Sequence, residues 1–157
     1  MLVIADKDAV TYAGSMSRDT TRTARDEVLL AVPINAHMGL VFDGREGETA
    51  FAHFVADERV TAFGGLHAGV LYSLFEVVAL FALIPSLGPT EHAAGVDFHA
   101  SFMKAVPAGA MCSLRATVVR RGRLLAFVEA RAEVDGKPVA MAHLTKSIVP
   151  LPPGMPV

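Results

Sequence analysis

Glu76 is the one Asp, Glu, Lys or Arg among residues 60–85, VTAFGGLHAGVLYSLFEVVALFALIP. A carboxylate in apolar surroundings is costly to bury alone, so it must be paired, neutralised or put to chemical use. Nine residues before it stands His67, followed by Ala68 and Gly69 and preceded by Gly64 and Gly65. A glycine-rich turn that opens a helix offers backbone N–H groups able to polarise a carbonyl. A carboxylate two to three turns further on can act on that carbonyl as general base or nucleophile. The layout predicts a small-molecule site. Glu76 lies eight residues beyond Ala68, about 12 Å along one helix, too far for both to touch one carbonyl carbon. The turn must fold back, or two helices must share the site.

The elements that position these residues follow from periodicity. Thr20 or Thr21 is expected to cap a short helix over residues 22–31, ended by Pro33. Strands are expected at 38–42 and 49–55 around a turn, DGREG, with Phe51, His53 and Val55 on one face. The central helix runs over 68–84, apolar all round, and Pro85 and Gly88 stop it. Four strands follow, at 94–105, 111–120, 124–134 and 139–149, with Asp135-Gly136 as a hairpin turn. Phe98, Ala100 and Phe102 share one face of the first. Leu114, Ala116 and Val118 share one face of the second, and Ala126, Val128, Ala130 and Ala132 one face of the third. The economical architecture is α+β, one antiparallel sheet of five or six strands wrapped around a long central helix. Residues 1–33 form an N-terminal extension with the short helix, 34–149 the main domain, and 150–157 a flexible tail whose prolines keep it out of the sheet.

Composition bounds the function. A chain of 157 residues, 52% apolar and 19% charged, forms one globular domain. A net charge of −2 argues against nucleic-acid binding. Residues 113–146 hold seven cations and three anions, so they are locally +4 and the remainder −6. That segment is read as solvated strand faces or as a site for a phosphorylated small molecule. The single cysteine, Cys112, excludes a disulfide within the chain and disfavours a cysteine metal site; it is read as packed and inert. His53, His92, His99 and His143 lack metal-ligand spacing, so no metal is expected. The N-terminus, MLVIADKDAV, has no basic region typical of a secretory signal, and a reducing cytoplasm is expected. Residues 68–84 are at the short limit for a membrane span, with Glu76 at mid-bilayer, and are assigned to a core helix instead.

The segment GGLHAGVLYSLFEVVALFA resembles the start of the central helix in hot-dog-fold acyl-CoA thioesterases of the PaaI-like type. That family typically shows Gly-x-x-His-Gly-Gly, with an acidic residue nine positions after the histidine. The stretch from VDFHASF to LTKSIV resembles the family's last four strands, including the Pro-x-Gly turn at Pro107 and Gly109 and the Arg-x-Gly-Arg turn at Arg120, Gly122 and Arg123. The likeness spans about residues 34–149. Ala68 stands where the family has its first glycine, and Thr61 where it often has Asn or Gln.

The resemblance implies a hot-dog fold and hydrolysis of an acyl- or aryl-CoA thioester. Glu76 would be base or nucleophile, with Ala68, Gly69 and His67 forming the oxyanion turn. Thr61, Asn35, Arg120, Arg121 and Arg123 would touch substrate, the arginines through the phosphates of coenzyme A. Coenzyme A enters as substrate, with no cofactor. The resemblance also answers the distance problem with a homodimer or homotetramer, in which the turn of one subunit faces the helix of another. Two other readings stand beside it: a hot-dog dehydratase acting on a hydroxyacyl thioester, and a non-catalytic acyl-CoA or lipid-binding protein.

Overall fold

A computed structural model of the chain describes residues 18–157. Residues 1–17 of the expected N-terminal extension therefore lie outside the described residues. Helix α1 (Ala24–Ala31) begins later than the sequence suggests. Its cap is Thr23 rather than Thr20 or Thr21, because Thr23 and Asp26 form a reciprocal capping box. The Asp26 N–H donates to the Thr23 hydroxyl, and the Asp26 carboxylate accepts the Thr23 N–H at 2.8 Å. Pro33 ends α1 but also opens a second helix, α2 (Pro33–His37), because proline is pre-shaped for a first helical position.

The six long strands are β1 (Val41–Glu46), β2 (Thr49–Val55), β5 (Glu91–Phe102), β6 (Met111–Arg121), β7 (Leu125–Val134) and β8 (Lys137–Pro150). A small hairpin, β3 (Thr61–Ala62) and β4 (Gly65–Leu66), precedes helix α3 (Ala68–Leu83). The long strands form one antiparallel sheet in the order β1-β2-β6-β7-β8-β5. The sheet wraps the inner side of α3, the architecture expected from the sequence.

The inner face of the sheet carries many small residues among larger ones such as Phe54, Leu114 and Leu144. Ala50 and Ala52, Ala116, Ala126, Ala130 and Ala132, and Ala140 and Ala142 are all buried. Their short side chains let α3 sit close, and Leu74, Phe75, Phe81 and Leu83 fill the space from the helix side. Each such side chain, fully buried, is worth roughly 1.5–3 kcal/mol of hydrophobic stabilisation. Cys112 belongs to this face, and burial pushes its thiol up to about 12. Asp135 and Gly136 both adopt positive φ, the geometry of a two-residue hairpin turn.

One segment departs from expectation. Of DGREG, residues 43–46 are strand and only Gly47 stands in the turn, and β1 starts at Val41 instead of 38. Gly44, with φ +115°, sits at an irregularity in the β1–β2 register, and a β-carbon there would fall 2.7 Å from the Asp19 carbonyl oxygen. Asp19 and Arg45 exchange two backbone hydrogen bonds at 2.9 Å, so the chain before α1 covers the free edge of β1. Arg45 turns inward. Its guanidinium pairs with the buried Asp26 carboxylate and donates to the Phe81 carbonyl at 2.7 Å. That carbonyl would ordinarily accept the N–H four residues on, but position 85 is proline. Arg45 thus supplies the donor that Pro85 lacks.

The tail, expected to hang free after 149, is tied down. The Leu151 N–H donates to the Thr90 carbonyl at 2.8 Å, and the buried Arg25 guanidinium donates to the carbonyls of Pro156, Glu91, Gly88 and Pro89.

Asp26→Ala leaves Arg45 buried without its counter-charge and is expected to cost about 3–5 kcal/mol in urea unfolding. Cys112 is expected to resist Ellman's reagent in the native protein and to react fully after unfolding.

Candidate active site

The turn before α3 is a stitched hairpin. Phe63 and Gly64 link β3 to β4, both with positive φ (53° and 82°), and Thr61 pairs with Leu66 across it. The Leu66 N–H donates to the Val106 carbonyl at 2.9 Å and the Ala108 N–H to the Gly64 carbonyl at 3.1 Å. A β-carbon at Gly65 would lie 3.3 Å from that Val106 oxygen, so the glycine permits the close approach. The glycine turn and the Pro-x-Gly turn, far apart in sequence, are one unit in space. The His67 N–H donates to the Val60 carbonyl at 3.0 Å and fixes the entry to the helix.

His67 is the N-cap of α3, and its Nδ1 accepts the Gly69 N–H at 3.1 Å. Gly69 therefore spends its N–H on the cap. Ala68 stands at the first helical position, where an N–H has no acceptor within the helix. It is exposed and lines a cleft of about 260 Å³ with Leu66, Leu71, Phe102, Met103 and Val106. Of the predicted turn residues, Ala68 offers the open donor.

Helix α3 is not buried on every side. Gly69, Tyr72, Ser73, Glu76 and Leu80 fall one helical turn apart and form a stripe that the sheet leaves partly open. Tyr72 packs along the start of this stripe against Phe98 and Phe102, with ring centroids 4.6 and 5.3 Å away. Glu76 lies in the stripe's middle, its side chain 37% exposed, and pairs through Oε2 with the Lys146 ammonium. Lys146 itself is 1% exposed. Burial pushes its ammonium below the ordinary lysine range, and Glu76 works against that shift. The helix is continuous from Ala68 past Glu76, so the turn does not fold back to meet the carboxylate.

The remaining predicted residues are dispersed. Thr61 is half-buried in β3. Asn35 is buried in α2 and donates to the Leu29 carbonyl at 2.7 Å, which makes it a brace between α1 and α2 and keeps it out of the cleft. Arg120 and Arg123 are exposed. Arg121 is engaged: its guanidinium pairs with Glu91 and donates to the Gly122 carbonyl at 3.0 Å. The Gly88 N–H and then Arg121 hold the Glu91 carboxyl below the usual carboxylate range. The sequence did not single out Lys146 or Gly95. Lys146 had a readable signal, since it falls in the inward phase of β8 set by Ala140, Ala142 and Leu144.

A model of the thioesterase superfamily matches residues 63–140, from the hairpin tip into β8. Among characterised relatives, the 3-hydroxyacyl-[acyl-carrier-protein] dehydratase FabZ of Streptococcus pyogenes serotype M3 is 34% identical over 134 residues, covering 76% of this chain and 94% of that protein. Among solved structures, a glutamine-to-alanine mutant of thioesterase PA1618 from Pseudomonas aeruginosa superimposes with a TM-score of 0.76 at 25% identity, covering 85% of this chain and 98% of that one. A mutant of the phenylacetic acid degradation protein PaaI from Thermus thermophilus shares the fold with a TM-score of 0.67 at 22% identity, covering 73% and 97%.

His67→Ala removes the cap and is expected to destabilise the protein by about 1 kcal/mol, while His67→Asn, a strong N-cap residue, is expected to restore most of the loss in thermal melting.

Proposed function

This chain belongs to the thioesterase superfamily and has the PaaI-like hot-dog fold, and on that footing we propose that it hydrolyses an acyl- or aryl-CoA thioester to the free acid and coenzyme A. The observation that carries the reading is the partly open carboxylate of Glu76 in an otherwise apolar helix whose own N-terminus is an open, capped turn. The Ala68 N–H would take the oxyanion that forms on the thioester carbonyl. Glu76 would take a proton from the water that attacks the carbonyl carbon, or attack it directly. The tetrahedral adduct collapses with cleavage of the C–S bond, and coenzyme A leaves as a thiolate that is protonated on release. In the direct route, water then splits the mixed anhydride and regenerates the carboxylate.

The two groups sit on one unbroken helix, about 12 Å apart by its rise, so each working site takes the turn from one subunit and the carboxylate from another. The proposed active species is a homodimer, or a homotetramer built from it. The open stripe of α3 and the edge strand β5 would face the second copy. The exposed Arg120 and Arg123 would meet phosphates of coenzyme A.

The identity with FabZ favours one second reading, dehydration of a hydroxyacyl thioester. It would ask His67 to exchange protons with substrate through Nε2, because its Nδ1 accepts the Gly69 N–H. A panel of acyl-CoA and aryl-CoA thioesters, followed by release of free thiol, tests hydrolysis. Hydration of an enoyl-CoA tests the second reading, and binding of acyl-CoA with no turnover of either kind would identify a carrier.

Glu76→Gln is expected to lower kcat by about 10²–10⁴-fold with the fold intact. Retention of more than about a tenth of the wild-type rate would remove Glu76 from the chemistry. Light scattering at assay concentration is expected to show no active monomer. The double substitution of Arg120 and Arg123 by Ala is expected to raise KM for acyl-CoA but not for a truncated thioester lacking the nucleotide, with kcat nearly unchanged. Wild-type KM is expected to rise with salt.

A further inference from the structure

Lys146 is the only buried lysine among the described residues. The other inward positions around it on β8 are Ala140, Ala142 and Leu144, so an apolar residue would suit that phase of the strand. A buried ion pair adds little net stability over a well-packed apolar replacement. The fold alone gives no reason for a lysine here.

What surrounds the pair gives a reason. Lys146 lies between Ala126 on β7 and Gly95 on β5 in the sheet register. Glu76 reaches down from α3, and its Oε2 meets the ammonium. A β-carbon at position 95 would stand 3.3 Å from both carboxylate oxygens, a tight contact that the carboxylate could meet only by giving a few tenths of an ångström. The β5–β8 register slips between Gly95 and Asp97, and Val96 takes up the extra residue on the outside, 61% exposed. The bulge, the glycine and the lysine together form a socket of the carboxylate's size. Oε1 accepts no protein hydrogen bond among the described residues.

We propose that Lys146, with the Gly95 bulge, is the positioning device of the hydrolytic site: it anchors Glu76 through Oε2 and leaves Oε1 for the reaction. The inference rests on Glu76 being the reactive carboxylate. An ammonium suits the role because it is a compact point charge that fits under the helix. It also gives the seat an alkaline limit. The titratable and charged groups around Lys146 are Glu76 on α3, His92 on β5, and one strand beyond Ala126, Arg121 held by Glu91. Burial lowers the Lys146 pKa, so as pH rises its ammonium is lost earlier than an exposed lysine's, and the anchor goes with it. Arginine stays charged across that range.

The test is kcat and KM against pH for the wild type, Lys146→Met, Lys146→Arg, Gly95→Ala and Glu76→Gln, with thermal melting of each. Lys146→Met is expected to lower kcat by about 10²-fold, the scale of a misplaced reactive group. Its KM should stay within about threefold, because substrate binding is not the function removed. Lys146→Arg should recover much of that kcat and move the alkaline limb out of the measurable range. Gly95→Ala should lower kcat without altering any charge. A folded Lys146→Met with wild-type kcat overturns the proposal. So does a Lys146→Arg whose alkaline limb stays where the wild type has it, a comparison that holds even if the methionine variant does not fold. Wild-type kcat in Gly95→Ala overturns the socket. If Glu76→Gln keeps its activity, the hydrolytic role of Glu76 fails first; if it loses activity while Lys146→Met keeps it, only the seat fails.

Discussion

Burying helix α3 against the sheet obliges the polar groups that it takes out of water to find partners, and those partners organise the rest of the molecule. At the C-terminal end, the carbonyl that Pro85 cannot serve takes Arg45, and Arg45 in turn needs Asp26, which draws α1 onto the sheet. In the middle, Glu76 takes Lys146. At the N-terminal end, His67 caps the first turn, and the hairpin before it is stitched to the Val106–Ala108 stretch. Three sites along one rod are thereby fixed, and the proposed oxyanion turn and the proposed reactive carboxylate cannot shift independently.

This accounts for the division between frame and site. The sheet's inner face sets small alanines, which let the helix sit close, between larger side chains such as Phe54, Leu114, Val128 and Leu144. A guanidinium meets the helix at one end and an ammonium meets it at the centre. Gly69, Tyr72, Ser73, Glu76 and Leu80 form the side of the helix that the sheet leaves partly open.

The strands of the second half were legible because alternation is strong there: Leu114, Ala116 and Val118 and the alanines of β7 all face inward as their phase predicts. The central helix and its proline stop were legible for the same local reasons. The turn at DGREG was placed too early, at residue 43 rather than Gly47, because turn composition outweighed a tertiary fact, the inward pull of Asp26 on Arg45, that no local pattern carries. The candidate carboxylate was visible as a lone charge in an apolar run, but its partner lies 70 residues on. Lys146 was counted with the solvated cations because net charge was tallied by segment and not by strand phase. Asn35 stood close to the first strand in sequence, yet α2, unseen by periodicity over so few residues, folds it inward.

The Asp135-Gly136 turn has a reach beyond its own hairpin. It starts the β7–β8 pairing, which slips by one residue at Val139 and then runs unbroken from Ala140, and Lys146 faces inward because it stands an even number of residues from Ala140 and Ala142. One residue inserted between Ala140 and Lys146 would exchange the faces of the remaining strand, sending the ammonium to solvent and Thr145 under the helix. The same insertion at the exposed Gly47 turn, before the pairing of β2 begins, leaves that count untouched. Drift in length along this chain is therefore tolerated by address: free in the β1–β2 connection, and forbidden over the stretch of β8 that measures out the position of one lysine.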